Sequence, residues 1–240
     1  MRVSVLCSGS SGNSIVVQCN GNYFLIEAGI SPLHCSRLLH KHDLRLASIH
    51  GVICSHGHSD HYRYIQDYAR RGIRGGIGPT GVSVLDGFVD CRAFAVPHDS
   101  SGGTYGFHIT ERGTNAALAI IMDAGSWNKD MRDAANASDV VLIGVDYDDT
   151  LVENGNYNDS LKDRIASNTG HMSNQALQDF VHRDWNGRAH TWILAHLSEK
   201  RNNPTLAYTR FMEVCRPDCK PFVIVSTKDA PTALISVELI

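Results

Sequence analysis

A dense run of metal-ligand side chains is the most informative feature of this sequence. Residues 55–61 read Ser-His-Gly-His-Ser-Asp-His, so His56, His58, Asp60 and His61 fall within six positions, directly after the apolar segment 52–54. In a loop that leaves a strand and enters a helix, His56 and His58 can converge on one cation while Asp60 and His61 turn toward a second. Imidazole nitrogens and carboxylate oxygens are ligands that zinc and manganese accept. The run therefore predicts a metal site, and a polar turn that happens to be rich in histidine is the alternative.

Three further ligand-type residues follow apolar segments. His98 comes after segment 93–96, Asp123 ends the run Ala-Ile-Ile-Met, and His196 ends the run Trp-Ile-Leu-Ala. An unpaired carboxylate at the end of a buried strand is costly, and a bound cation relieves that cost. Taken singly, each residue has an ordinary explanation as a strand-end histidine or a turn cap. Together they match a site built at the carboxyl ends of strands.

Hydrophobic patterning predicts the elements that position these residues. It predicts strands at residues 2–7, 15–19, 23–27, 50–54, 93–96, 105–110, 117–122, 140–145, 191–195, 222–226 and 234–237. It predicts helices at residues 36–42, 62–71, 129–137 and 173–183. Two strand-rich stretches, each mixed with helices, indicate a sheet packed on a sheet with helices outside. No Pro-rich linker or charge block divides the chain, which favours one domain over residues 1–240.

Composition limits the classes of partner. The 240 residues contain 22 Lys and Arg against 25 Asp and Glu, so a formal charge of -3 gives no basic excess to hold a long polyanion. The longest uninterrupted apolar stretch, residues 116–122, is far shorter than the ~18 residues that a membrane span needs. Seven scattered cysteines with no Cys-x-x-Cys pair suit reduced thiols. We therefore expect a cytoplasmic protein without membrane association, for which long nucleic acid is a less favoured partner than a small substrate.

The order of these motifs resembles the metallo-β-lactamase-fold hydrolases. The resemblance implies an α/β protein with an αββα sandwich. It implies two divalent ions per chain, with zinc favoured over manganese. One ion would be bound by His56, His58 and His98, the other by Asp60, His61 and His196, with Asp123 as the bridge. True β-lactamases of this fold usually lack the full set, so its presence favours phosphodiesterases, nucleases or thioester hydrolases.

Four short stretches narrow the resemblance: residues 8–14, 97–99, 170–174 and 195–203. They are similar to the YycJ/WalJ-type members and to the anti-Pycsar cyclic-nucleotide phosphodiesterases of phages and some bacteria, over about residues 2–231. One departure concerns the substrate pocket. Where the YycJ type has Glu-Ser-Asn-His-Asp, residues 144–148 read Gly-Val-Asp-Tyr-Asp, so Tyr147 stands in place of an imidazole. With only about 70 residues between Asp123 and His196, the chain also lacks room for the β-CASP insertion of RNA-processing relatives.

The proposed chemistry assigns roles to several more residues. Two cations would activate a water molecule and bind phosphate oxygens, and the leaving O3′ then needs a proton donor. His171 is the candidate because it lies just before a predicted helix N-terminus, and Asp60 is the second catalytic candidate. Candidates for orienting the substrate, for which turn chemistry, capping or packing is the alternative role, are Ser11, Asn13, Tyr147 and Asn203.

The favoured function is hydrolysis of 3′,5′-cyclic mononucleotides, first cyclic CMP and cyclic UMP and more broadly cyclic AMP and cyclic GMP, to 5′-monophosphates. Through the resemblance this implies an enzyme that counters Pycsar anti-phage signalling. The alternative is a YycJ/WalJ-type DNA or RNA nuclease. A glyoxalase-type thioester hydrolase and a metal-stabilised binding protein without catalysis rank below both. Because a mononucleotide needs a cleft closed on several sides, a second subunit is expected to supply one wall, and the sequence analysis predicts a homodimer.

Overall fold

The computed structural model describes residues 1–85, 87, 89–228 and 230–237. Within these residues the strands are, in chain order, β1 (Arg2–Cys7), β2 (Ser14–Cys19), β3 (Asn22–Ile26), β4 (Ile49–Cys54), β5 (Arg74–Ile77), β6 (Asp90–Val96), β7 (Thr104–Thr110), β8 (Ala117–Ile121), β9 (Val140–Gly144), β10 (Thr191–Ala195), β11 (Phe222–Val225) and β12 (Ile235–Ser236). The α-helices are α1 (Pro32–His40), α2 (Ser59–Tyr62), α3 (Ile65–Ala69), α4 (Gly78–Val82), α5 (Lys129–Ala137), α6 (Asp149–Glu153), α7 (Asp159–Ala166), α8 (Asn174–Arg183) and α9 (Pro204–Val214). None of the described helices has the length and apolar composition required to cross a bilayer.

The strands form two mixed six-stranded sheets. The first has the order β12-β1-β2-β3-β4-β5, and the second has the order β11-β10-β9-β8-β7-β6. In the first sheet β1, β2 and β3 pair antiparallel, whereas β3, β4 and β5 pair parallel. In the second sheet β6, β7 and β8 pair antiparallel, whereas β8, β9, β10 and β11 pair parallel. The carboxyl ends of β6, β8, β9 and β10 therefore meet at one edge of the second sheet.

Three apolar layers hold this arrangement together. Val5 of β1 and Ile120 of β8 belong to the layer between the two sheets. On the outer face of the second sheet, Trp192 of β10 packs in a layer with residues of α5, α8 and α9, among them Phe180. On the outer face of the first sheet, Leu39 of α1 belongs to a third layer. This is the αββα sandwich that the sequence predicts, and the central strands are apolar throughout because both of their faces are buried.

Two predicted helices differ from the observed ones. Helix α1 begins at Pro32 rather than at residue 36, because Ser31 caps it and proline suits the first helical position. The predicted helix 62–71 is two short helices, α2 and α3. It breaks at Tyr64, whose N–H donates to the carbonyl oxygen of Ala28 at 3.0 Å instead of to the preceding helical turn.

Five elements were not predicted: β5, α4, α6, α7 and α9. Strand β5 contains Gly75 and Gly76, which have low β propensity. Helix α7 buries only Ile165 among its eight residues, so it carries little apolar periodicity. Helix α7 nevertheless forms part of the wall of the cavity described below.

Candidate metal centre and active-site cavity

The predicted ligand residues converge where the strands of both sheets end. His56 and His58 lie in the loop between β4 and α2, Asp123 follows β8, and His196 follows β10. His98 follows β6 at the same edge of the second sheet. The structure therefore brings together all seven residues that the sequence analysis named as metal ligands. They form two groups, and within each group the ligand atoms lie within 4.8 Å of one another. The first group is His56, His58 and His98, and the second is Asp60, His61, Asp123 and His196.

The first group consists of three imidazoles. Nε2 of His98 lies 3.3 Å from Nδ1 of His58, and the ring centroids of His56 and His98 are 5.1 Å apart. Nε2 of His56 is fully buried and has no hydrogen-bond partner among the described residues. A buried nitrogen without a partner is costly, and a cation at the centre of the three rings would satisfy it. The donor set therefore fits a divalent ion that accepts nitrogen ligands.

The second group mixes carboxylates and imidazoles. Oδ2 of Asp123 lies 2.8 Å from Nε2 of His61 and 3.5 Å from Nε2 of His56. Oδ2 of Asp60 lies 3.1 Å from Nε2 of His196 and 3.3 Å from Nε2 of His61. Asp123 thus has contacts in both groups, which is the placement that a bridging carboxylate requires.

The second ring nitrogen of several of these histidines faces a polar group away from the centre. Such contacts set the orientation of a metal-ligating imidazole and the position of its proton. The contacts are His56 Nδ1 to Ser55 Oγ at 2.9 Å, His98 Nδ1 to the Gly170 carbonyl oxygen at 2.8 Å, His196 Nδ1 to Asp146 Oδ1 at 3.0 Å, and His61 Nδ1 to Glu27 Oε2 at 3.4 Å. The remaining nitrogen of each ring is therefore directed to the shared centre.

Two buried carboxylates at this centre were missed by sequence reasoning. Oδ1 of Asp146 lies 3.0 Å from Nδ1 of both His171 and His196, and Asp146 forms a third group of ligand atoms with Asp123 and His171. Glu27 accepts from the backbone N–H of Ser55 at 3.2 Å. Asp146 and Glu27 each follow an apolar strand, so the strand-end rule that selected Asp123 would also have selected them.

The buried histidines and carboxylates at this centre shift one another's pKa values. Burial, followed by the neighbouring His61, lowers the pKa of His56 to about 2, so His56 is neutral as a metal ligand must be. Burial lowers the pKa of His196, but Asp123 and Asp146 outweigh it and the pKa lies well above the usual range. Burial raises the pKa of Asp123, but His196 and His61 hold it well below the usual range. The buried carboxylates therefore require nearby positive charge, which divalent cations provide.

The loops that carry the ligands are tightly fixed. A Cβ atom at Gly29 would lie 1.7 Å from the carbonyl oxygen of Asp60, so only glycine fits there. Asn13 is fully buried, and its Nδ2 lies 3.2 Å from the same carbonyl oxygen and 3.3 Å from Nε2 of His61. At this centre, Glu27, Asp123 and His196 have left-handed backbone conformations, with φ of 72°, 47° and 56°. Strained backbone of this kind clusters at functional sites.

A cavity of about 340 Å³ opens over these residues. Its described lining includes ligand-type residues, His171, part of α7 and Arg201. His171, the proton donor proposed from the sequence, is part of this lining, and its side chain is 30% exposed. Burial lowers its pKa, but Asp146 and then Asp123 outweigh burial and raise the pKa of His171 to about 10.

The four residues expected to orient the substrate lie outside the described lining of this cavity. Asn13 is buried in the loop before β2, as described above. Ser11 is exposed and lines a neighbouring depression with Lys200. Asn203 caps α9, where its Oδ1 accepts from the N–H of Leu206 at 2.9 Å. Tyr147 is buried in a small apolar cluster with residues of α6 and α7.

Known proteins resemble this chain in sequence and in fold. Residues 8–81 match the family model of the metallo-beta-lactamase superfamily. The chain is 25% identical over 232 residues to the exodeoxyribonuclease WalJ of Streptococcus pneumoniae, covering 86% of this chain and 85% of the relative. It is 28% identical over 236 residues to the exodeoxyribonuclease YycJ of Bacillus anthracis, covering 86% of each. The fold is similar to the metallo-beta-lactamase fold protein YhfI from Bacillus subtilis, with a TM-score of 0.67 at 12% identity, covering 97% of this chain and 99% of that one.

Proposed function

Since the chain has the metallo-β-lactamase fold, we propose that it is a metal-dependent phosphodiesterase that opens 3′,5′-cyclic mononucleotides to 5′-monophosphates. The observation that carries the proposal is the pair of ligand groups joined by Asp123 at a cavity of about 340 Å³. Phosphodiester hydrolysis is a common reaction of paired divalent ions, and this volume is at the lower end of the range for small-molecule sites, about 300–1,000 Å³.

The residues present fit two divalent ions. His56, His58 and His98 would hold one, Asp60, His61 and His196 the other, and Asp123 would contact both. When bound, two zinc or manganese ions supply an activated water and neutralise charge on phosphate oxygens. Asp60 is also a catalytic candidate, because its side chain is one of these ligands and lines the cavity, where it is 18% exposed.

The chain's own acid is His171. Hydrolysis adds water across the P–O3′ bond, so O3′ leaves with a new proton and the phosphate stays on O5′. An imidazole at the cavity wall is suited to give that proton. Its Nδ1 faces Oδ1 of Asp146, which fixes the ring and favours the protonated form before transfer.

Several observations support a small nucleotide over a long polymer. Helix α7 contributes Leu161, Arg164 and Ile165 to the lining, so this helix closes part of one side of the cavity. The formal charge of -3 offers no general attraction for a polyanion. We propose cyclic CMP and cyclic UMP as the first substrates, with cyclic AMP and cyclic GMP as wider ones, and a role in erasing these signals during anti-phage defence.

A second candidate is an exodeoxyribonuclease. The similarity to WalJ and YycJ, both named as exodeoxyribonucleases, extends over 86% of this chain and favours it. Cleavage of a DNA strand needs the same in-line attack on a phosphodiester, so the ligand groups suit either substrate.

A homodimer is also part of the proposal. Leu161 of α7 lines the cavity and is 38% exposed, and Leu151 of α6 is 38% exposed as well. We expect a second copy to cover Leu161 and so complete the cavity wall. Light scattering after size-exclusion chromatography tests this, with a mass near 53 kDa for two copies of 26.3 kDa. A mass near that of one chain at assay concentration contradicts it.

Product identification tests the reaction itself. The metal-loaded protein is incubated with each cyclic mononucleotide in ¹⁸O-labelled water, and the product is separated and weighed by mass spectrometry. The expected product is the 5′-monophosphate with one ¹⁸O in its phosphate. A 3′-monophosphate would contradict the assignment of O3′ as the leaving atom, and the absence of any product would contradict the substrate. His34→Ala, at an exposed position on α1, is the matched control for histidine variants of the site.

A further inference from the structure

Two arginines line the cavity from different elements. Arg164 lies in the last turn of α7, and Arg201 lies in the loop between β10 and α9. In the part of the chain that the structure describes, neither guanidinium forms an ion pair with a carboxylate, whereas Arg210 pairs with Asp148 at 3.3 Å. A guanidinium without an acidic partner in a cavity keeps its donors available for an anionic ligand.

Arg201 is held in a defined position. Its Nε donates to Oγ of Ser198 at 3.2 Å, and its guanidinium carbon lies 5.9 Å from the ring centroid of Tyr157, within cation–π range. A Cβ atom at Gly155 would lie 2.4 Å from Cε2 of Tyr157, so a side chain there would displace the ring. The main chain is fixed as well, because the N–H of Asp148 donates to the Arg201 carbonyl oxygen at 2.8 Å. The two terminal nitrogens of Arg201 therefore form a pre-positioned fork, the geometry that matches phosphate.

Arg164 is placed by the packing of α7. Ile165, the next residue, is buried with Tyr147 and Val152 in one apolar cluster and also lines the cavity. Tyr147 thus packs against α7 from outside the helix and helps to set the position of α7 and of Arg164.

We propose that Arg164 and Arg201 bind the phosphate of the nucleotide from the α7 side of the cavity. The inference rests on the proposed phosphodiesterase function and adds to it two specificity-determining residues. The cavity also contains the carboxylates of Asp60, Asp123 and Asp146, which repel an anionic substrate unless cations balance them. The guanidinium groups of Arg164 on α7 and of Arg201 in the loop between β10 and α9 supply fixed positive charge, and they select a phosphorylated nucleoside over the free nucleoside.

Calorimetric binding of cytidine 5′-monophosphate and of cytidine to the metal-loaded protein tests this directly, without using catalysis. The variants are Arg201→Met, Arg201→Lys, Arg164→Met and, as a matched control, Arg37→Met at an exposed arginine of α1. The expected loss of affinity for the monophosphate is roughly tenfold to hundredfold in each methionine variant, the range of charge-assisted hydrogen bonds. Cytidine affinity should stay within about twofold, Arg37→Met should match the wild type, and Arg201→Lys should retain part of the preference.

The ratio of the two affinities separates phosphate binding from a structural effect. If both methionine variants keep the wild-type ratio, or if both ligands weaken equally, the inference is wrong. It is also wrong if the wild-type protein binds cytidine as tightly as the monophosphate. A different result would contradict the proposed function. If the monophosphate preference depends on the arginines but the protein hydrolyses no cyclic mononucleotide, the phosphate site is retained and the substrate assignment is wrong.

Discussion

Oδ1 of Asp146 lies 3.0 Å from Nδ1 of His171. The same oxygen lies 3.0 Å from Nδ1 of His196, so one buried carboxylate orients two imidazoles. In the proposed mechanism these imidazoles have different roles, because His196 is a metal ligand and His171 is the proton donor. Asp146 therefore connects the proposed metal centre with the proposed acid.

Replacing Asp146 tests this connection. Asp146→Ala should weaken metal binding and lower turnover, each by about 10-fold to 100-fold, as is usual when a group that orients a ligand is lost. Competition with a chelator measures metal affinity, and steady-state kinetics measures turnover. Asp163→Ala, at an exposed position on α7, is the control. Unchanged metal affinity and turnover in Asp146→Ala would contradict the role of this residue.

Replacing His171 should separate catalysis from metal binding. His171→Ala should keep its fold and its metal content, since His171 is outside the seven proposed ligands, while turnover falls by roughly 10²-fold to 10⁴-fold. Elemental analysis and turnover are measured on the same preparation. His182→Ala, at an exposed position near the end of α8, should behave as the wild type. Near-normal turnover in His171→Ala would remove it as the proton donor.

Metal content should depend differently on the bridging residue and on a ligand of one group. Asp123 contacts both groups, so Asp123→Ala should lose most of both ions. His98 belongs to the first group alone, so His98→Ala should lose mainly one. Elemental analysis of protein purified without chelator measures this, and fewer than one transition metal per wild-type chain would contradict a paired centre.

Asp148, which lies in the same loop as Asp146, should make the free energy of unfolding depend on pH. Asp148 accepts hydrogen bonds from Thr150, from Asn174 at 3.0 Å and from Arg210 at 3.3 Å. Burial raises the pKa of Asp148, but these donors, Thr150 first, hold it below its usual value. The unfolded chain then binds more protons near pH 4 than the folded chain does. Stability from Asp148 is therefore present above the unfolded pKa of about 3.9 and lost as the pH falls through the lower folded pKa.

We expect Asp148→Asn to reduce the free energy of unfolding at pH 7 by about 1–3 kcal/mol. The difference from the wild type should shrink as the pH falls below about 4. Urea unfolding of the metal-free proteins at several pH values measures it, with Asp163→Asn as the exposed control. A difference that stays constant down to pH 3 would show that the charge of Asp148 does not contribute.

The ligand set could be read from the sequence because apolar strands and polar strand ends are visible in the order of residues. His56, Asp123 and His196 each come at or just after the end of an apolar segment that is visible in the sequence. The cavity wall could not be read in the same way. Helix α7 is short and polar and buries only Ile165. That residue packs with Tyr147 and Val152, which lie outside the helix, so the local sequence pattern gives little sign of α7. Asn13 and Tyr147 were expected at the substrate because of their position in motifs, and only the tertiary structure shows that both side chains are buried.

One side-by-side assay tests the central proposal most directly. The metal-loaded protein is given cyclic CMP, cyclic UMP, cyclic AMP, cyclic GMP and single-stranded DNA at equal phosphodiester concentration, with the Asp123→Ala variant as the inactive control. We predict rapid conversion of at least one cyclic mononucleotide to its 5′-monophosphate and little release of nucleotides from DNA. Ready degradation of single-stranded DNA, with every cyclic mononucleotide left intact, would contradict the proposal and favour the exodeoxyribonuclease.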